Sequence, residues 1–162
     1  VIRSVVDTNV LVVANGRSTH AGDECQLATI DALRRVKDSH TLILDTGSRI
    51  LGEYRRHCNH SGQPSVGDEF FLWAFNNQAH LGLVELTENK ERSFEEFPDD
   101  PALAKFDPDD RVFVATSLAA RVRNFILNAV DSDYHLHRTG LKRAGVRVKE
   151  LCPNELTQSA QP

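Results

Sequence analysis

Several acidic residues of this chain stand where chemistry can be done. Asp7 follows directly on the apolar run Ile2–Val6, and Asp131 on the apolar run Phe125–Val130, with Asp133 two residues later. Asp109 and Asp110 open a segment with helical spacing, and Glu53 sits in the middle of another. Carboxylates aimed at one place repel and raise one another's pKa. That arrangement weakens a fold unless a divalent cation occupies the centre. Oxygen-only ligands select hard ions such as Mg²⁺ or Mn²⁺. Such ions activate water and stabilise phosphoryl oxygens during in-line displacement. Each acid also has a plain structural reading. Asp109 and Asp110 suit a helix N-terminus, Asp131 suits a helix cap, and Asp7-Thr8-Asn9 suits a helix-starting turn. Glu53 with Arg55 and Arg56 suits an exposed, ion-paired helix face.

The elements that would carry these acids follow from hydrophobic pattern. Five short apolar runs read as strands: Ile2–Val6, Thr41–Leu44, Leu83–Leu86, Phe125–Val130 and Val146–Val148. Segments with helical spacing lie between them: Cys25–Val36, Gly47–His57, Val66–Ala79, Asp109–Val122 and Tyr134–Arg143. Strands alternating with helices predict an α/β fold, and strands without polar alternation predict a sheet covered on both faces. The expected architecture is three-layer α/β/α with a central, mainly parallel sheet of about five strands. In such a fold, ligands bind beyond the carboxyl ends of the strands. Asp7, Asp110 and Asp131 can therefore converge although far apart in sequence.

The remaining features set bounds. The 162 residues suit one domain, expected over 1–152, with 153–162 a polar tail that frays. The Asn89–Asp109 connection, punctuated by Pro98, Pro101 and Pro108, reads as a loop with one short helical turn. No apolar run reaches bilayer length, and no stretch reads as a signal peptide. The odd number of cysteines, Cys25, Cys58 and Cys152, favours a reduced, cytoplasmic chain. The net charge of −4 argues against nucleic acid only until its distribution is seen. Residues 85–110 carry 3 basic and 10 acidic groups, whereas residues 111–150 carry 8 basic and 3 acidic. The aromatic series Phe70, Phe71, Trp73 and Phe75 reads as core or as a dimer face. His57, Cys58 and His60 read as an ordinary helix end.

Taken in order, the motifs resemble the PIN-domain nucleases. "VVDTNVLVVA" at Val5–Ala14 is similar to the family's opening strand, with Asp, Thr and Asn after it. "SRILGEYRRH" at Ser48–His57 is similar to the second motif, a Glu within a helix. "DPDDRVFVATSLAA" at Asp107–Ala120 and "FILNAVDSDYH" at Phe125–His135 are similar to the third and fourth, and "VRVKELCPNEL" to the last strand. The resemblance spans nearly the whole chain in the family's order. It implies that Asp7, Glu53, Asp110 and Asp131 are the catalytic and metal-holding acids, with Asp133 an accessory metal acid. Asp109 competes with Asp110 for the third position. Thr8 and Asn9 are supporting residues, Asn9 through hydrogen bonds rather than metal binding. Ala129 departs from the pattern, since many members carry Thr or Ser there.

The resemblance implies a Mg²⁺- or Mn²⁺-dependent endoribonuclease that hydrolyses RNA phosphodiester bonds without a protein nucleophile. A homodimer, and a small antitoxin-like partner if the chain is a toxin, are compatible with it. Candidate nucleic-acid contacts are Arg55, Arg56, Arg121, Arg123, Arg138, Lys142 and Arg143, with Arg34, Arg35 and Arg147 behind them. Two other readings compete. One is a PIN-like module that binds nucleic acid or acts as a scaffold without cleaving. The other is a haloacid-dehalogenase-like phosphatase, which needs a second Asp where Asn9 stands.

Overall fold

A computed structural model describes residues 1–59 and 61–159. The chain runs β1 (Ile2–Val6), α1 (Thr8–Ala14), α2 (Asp23–Ser39), β2 (His40–Asp45), α3 (Arg49–His57), α4 (Val66–Asn76) and β3 (Gly82–Val84). It continues through β4 (Glu88–Asn89), β5 (Ser93–Phe94), α5 (Arg111–Ala119), β6 (Phe125–Asn128), α6 (Ser132–Leu136), α7 (Arg138–Arg143), β7 (Val148–Glu150) and α8 (Pro153–Ser159). Five strands form one sheet in the order β3-β2-β1-β6-β7, and every pairing in it is parallel. Helices flank this sheet, in keeping with the three-layer α/β/α architecture expected from the sequence. No described helix is long and apolar enough to cross a membrane.

The order places the site. From β1 the chain steps outward to β2 and β3, then returns to add β6 on the other side of β1. The direction of winding therefore reverses between β1 and β6, which opens a crevice beyond their carboxyl ends. Asp7 follows β1 and Asp131 lies just past β6, so both acids stand at that crevice. The inner strands are covered on both faces toward their carboxyl ends, where Val5, Val6, Leu42, Leu44, Ile126 and Leu127 are all buried.

Local chemistry explains the elements around it. "TNVLVVA" lacks alternation yet forms α1, because Asp7 caps it by accepting from the Asn9 N–H. Asp45, at the end of β2, accepts from the N–H groups of Arg49 and Ile50 and so starts α3. Ser65 and Asp68 form a capping box for α4. Gly67 lies where α4 crosses α1 so closely that a Cβ would meet the Leu11 carbonyl oxygen. Tyr54 donates to the Val6 carbonyl at 2.6 Å and meets Phe70 edge to face, tying α3 and α4 to β1.

Four expectations change. Segment 85–110, which includes the connection expected as a loop with one short turn, is more ordered than that. It holds the β4–β5 ribbon and two 3-10 turns, and buries Leu86, Phe94, Phe97, Leu103 and Phe106. The segment expected to fray forms α8, with Leu156 buried and Glu155 accepting from the Gly22 N–H. Cys25 and Cys152 are paired in a disulfide across 127 residues, which leaves buried Cys58 as the free cysteine. A separation that long carries no spacing signal; the two meet only because the chain after β7 folds back to the start of α2. The reduced, cytoplasmic expectation rested on an unpaired count and loses that basis. Of the aromatic series, Phe70 and Phe71 are core, whereas Phe75 is half exposed. His60 lies outside the described residues.

Candidate metal centre

Asp7, Asp110 and Asp131 converge. Each offers a carboxylate oxygen within 4.8 Å of the other two, and among the described residues no other group of three or more metal-capable side chains meets so closely. Asp7 is only 3 % exposed, and Asp110 and Asp131 are half-buried. Asp7 is held by three donors: the Asn9 N–H at 2.9 Å, the Asn9 Nδ2 at 2.7 Å and the Tyr134 hydroxyl at 2.7 Å. Asp131 caps α6 by accepting from the Asp133 N–H. Asp131 is thus both the cap of α6 and a member of the acidic cluster.

Asn9 is the clamp of the crevice. Its Oδ1 accepts from the N–H groups of Ala129 and Val130, and its Nδ2 also donates to Asn128 Oδ1. One side chain therefore joins the end of β1 to the end of β6. Ala129 takes part through its backbone, its N–H donating to Asn9. Thr8 buries its hydroxyl without a protein partner at the first turn of α1.

Asp110 comes from the long connection, and an aromatic stack positions it. Phe106 packs edge to face on Tyr134 at 5.5 Å and lies 5.8 Å from Phe97. The Arg111 guanidinium stacks over Phe97 and donates to the carbonyls of Ala104 and Phe106. Asp107 N–H donates to Asp133 at 2.7 Å, and Asp107 in turn caps the turn before α5. Tyr134, which donates to Asp7, is thus also the surface on which the Asp110 segment is seated.

The electrostatics are those of crowded, buried acids. Burial pushes Asp7 up to about 6, with the charge of Asp131 adding and its hydrogen bonds opposing. Asp110 is pushed far above the carboxylate range, first by burial, then by the hydrogen bond its protonated form gives Asp131, then by the charges around it. Burial and the Asp7 charge push the Tyr134 phenol up as well, so it stays a donor.

The other expected residues are placed differently. Glu53 does not join the three acids; it pairs with Arg56 at 2.8 Å and lines a separate groove of about 420 Å³ with Asp109, Arg49 and Phe94. The helix turns Ile50 and Tyr54 into the core, and Glu53 lies at the edge of that face, within reach of Arg56 one turn on. Asp133 serves the Asp107 N–H and sits 3.2 Å from His137 instead of facing the cluster. Asp109 is exposed. Among the cations, Arg143 is bound to Asp100 at 2.9 Å. Arg121 and Arg123 precede β6, at the amino edge of the sheet, with Arg123 stacked over Phe125. Arg55 is exposed, with no carboxylate partner among the described residues.

Two residues outside the expected set belong to the surroundings. Asn128 closes β6, accepts from the Asp131 N–H and donates to the Asp131 carbonyl and to Glu150. Glu150 lies opposite it in register at the end of β7, and burial pushes it up to about 7. A polar residue ending an otherwise apolar strand was the available signal for Asn128, whereas β7, with Lys149 before Glu150, offered none.

Three carboxylates without nitrogen or sulfur donors fit a hard divalent cation such as Mg²⁺ or Mn²⁺. Comparison of the chain with protein-family models, with curated proteins and with solved structures returns no match.

Proposed function

We propose that this chain is a Mg²⁺- or Mn²⁺-dependent nuclease that hydrolyses phosphodiester bonds, with RNA as its substrate. The observation that carries the reading is the convergence of Asp7, Asp110 and Asp131 at the point where the sheet reverses its winding. The motif order that resembles the PIN-domain nucleases supports the same reading. A bound divalent ion would supply Lewis acidity toward a phosphoryl oxygen and a water of lowered pKa. Asp7, Asp110 and Asp131 would hold that ion.

The chain's own groups have separate tasks. Tyr134 and Asn9 fix the orientation of the Asp7 carboxylate by donating to one oxygen each. The N–H of Asp133 orients Asp131.

One observation favours a second reading, a nucleic-acid-binding module that does not cleave: Glu53 is engaged with Arg56 and stands outside the cluster. A phosphatase has less behind it, because position 9 is an Asn whose side chain is committed to four hydrogen bonds. The test is cleavage of single-stranded RNA. Activity should require Mg²⁺ or Mn²⁺ and disappear with chelator and with Asp7→Asn. Cleavage that survives both rejects the metal-centred reaction, and tight RNA binding without cleavage in either metal favours the module.

A further inference from the structure

Beside the carboxylate cluster lies a second groove, of about 410 Å³, lined by Tyr134, His135, Arg138, Lys142, Arg147 and Glu150 among others. Its floor is apolar, from Leu141, Val146 and Val148. It begins at the site: Tyr134 donates to Asp7, and Glu150 accepts from the Asn128 that holds Asp131. It then runs along β7, the outermost strand of the sheet, from Glu150 at the carboxyl end to Arg147 just before the amino end. Arg147 also lines the next groove, together with Arg121 and Arg123. A continuous line of cations therefore leads from the three acids along the sheet edge.

Charge balance separates this flank from the one across the site. In the groove of Glu53 and Asp109, the cations are already neutralised, Arg56 by Glu53 and Arg49 by Asp45 and Glu88. In the β7 groove, no described carboxylate lies within ion-pair distance of Arg138, Lys142 or Arg147. Arg138 donates to the His135 carbonyl, which holds its guanidinium in place without cancelling its charge. All three cations are exposed. The one acid of the groove, Glu150, is raised toward neutrality by burial.

We propose that the β7 groove is a phosphate-backbone subsite. It would carry one strand of nucleic acid away from the carboxylate cluster, while the charge-compensated opposite flank takes none. The proposal rests on the nuclease reading for what happens at the cluster, and on charge complementarity for the groove.

The experiment measures binding, without turnover. A labelled single-stranded RNA of about 12 nucleotides is titrated with the protein in Ca²⁺, across about 50–200 mM salt. The variant Lys142→Ala/Arg147→Ala should weaken binding about tenfold and flatten the log–log salt slope by about 1.4, since each lost contact to a single strand removes about 0.7. The control Lys37→Ala/Lys90→Ala removes the same charge from exposed positions elsewhere and should bind like the parent. Equal affinity and slope in the groove variant overturn the proposal. So does an equal loss in the control, and so does absence of RNA binding by the parent. RNA cleavage with an unchanged salt slope refutes the groove and leaves the nuclease reading standing. A flattened slope without any cleavage does the reverse.

Discussion

Asp110→Asn in the metal-free protein is the sharpest perturbation of the candidate centre. The three carboxylates approach within 4.8 Å. At an effective dielectric of about 20, two full charges at that distance repel by about 3 kcal/mol. Asp110 is partly exposed and escapes much of this by holding its proton, so the recoverable energy is nearer 1–2 kcal/mol. An Asn at position 110 can donate from Nδ2 the hydrogen bond that protonated Asp110 gives Asp131, with no proton taken up. For a chain of this size, each kcal/mol moves Tm by about 2–4 °C, so the variant should melt about 2–8 °C higher than the parent in chelator at pH 7.5. Mn²⁺ at about a hundred times Kd should stabilise the parent by about 2.7 kcal/mol and the variant far less. The two melting curves should therefore exchange order when metal is added. A variant that melts no higher in chelator, or that gains as much from Mn²⁺ as the parent, refutes the reasoning.

The pH dependence of the metal-free protein comes from the same crowding. A raised carboxyl binds its proton longer in the folded than in the unfolded chain, so stability falls as pH rises from about 4 through the Asp7 value near 6. Asp7 alone accounts for about 3 kcal/mol by pH 7, and melts in chelator should be higher at pH 5 than at pH 7.5. Asn9→Ala strands the N–H groups of Ala129 and Val130 and frees the end of β6; urea unfolding should show a loss of about 3 kcal/mol, and a loss under 1 kcal/mol would contradict the clamp role. Glu53→Gln should change Mn²⁺ affinity by less than about threefold in calorimetric titration, since surface pairs such as Glu53–Arg56 contribute little; a tenfold loss would restore Glu53 to the ligand set. Reduction of Cys25–Cys152 should cost about 5 kcal/mol for a loop of 127 residues, and the oxidised, unfolded chain should titrate as one free thiol, Cys58.

The inner strands of the sheet were legible because their carboxyl halves are covered on both faces. The apolar residues Val5 and Val6 of β1 and Ile126 and Leu127 of β6 are all buried between the helical layers. The edge strands were read less well. β3 and β7 came out displaced along the chain, since three-residue strands with one covered face carry little pattern. α1 was hidden for the opposite reason: a buried helix of seven residues looks like a strand until its cap is seen. The ribbon β4–β5 has only two residues per strand and leaves no period at all.

The candidate site divides along the same line. Sequence alone determined that Asp7 and Asp131 stand at strand ends and that Asp110 opens a helix. Residues at the ends of parallel strands face one edge by the geometry of the sheet, so their meeting was implied by the pattern. It also determined that the acidic excess is confined to residues 85–110 and the basic excess to residues 111–150. Only the tertiary structure decided which acids meet. Glu53 and Asp133 were expected beside the cluster, yet Glu53 is paired with Arg56 and Asp133 accepts from the Asp107 N–H. Side-chain direction is set by packing of Tyr54, Phe106 and Tyr134, contacts between residues far apart in the chain. The disulfide and the unpaired cations along β7 are decided at that level too. Both depend on where distant segments come to rest, and no spacing in the sequence records that.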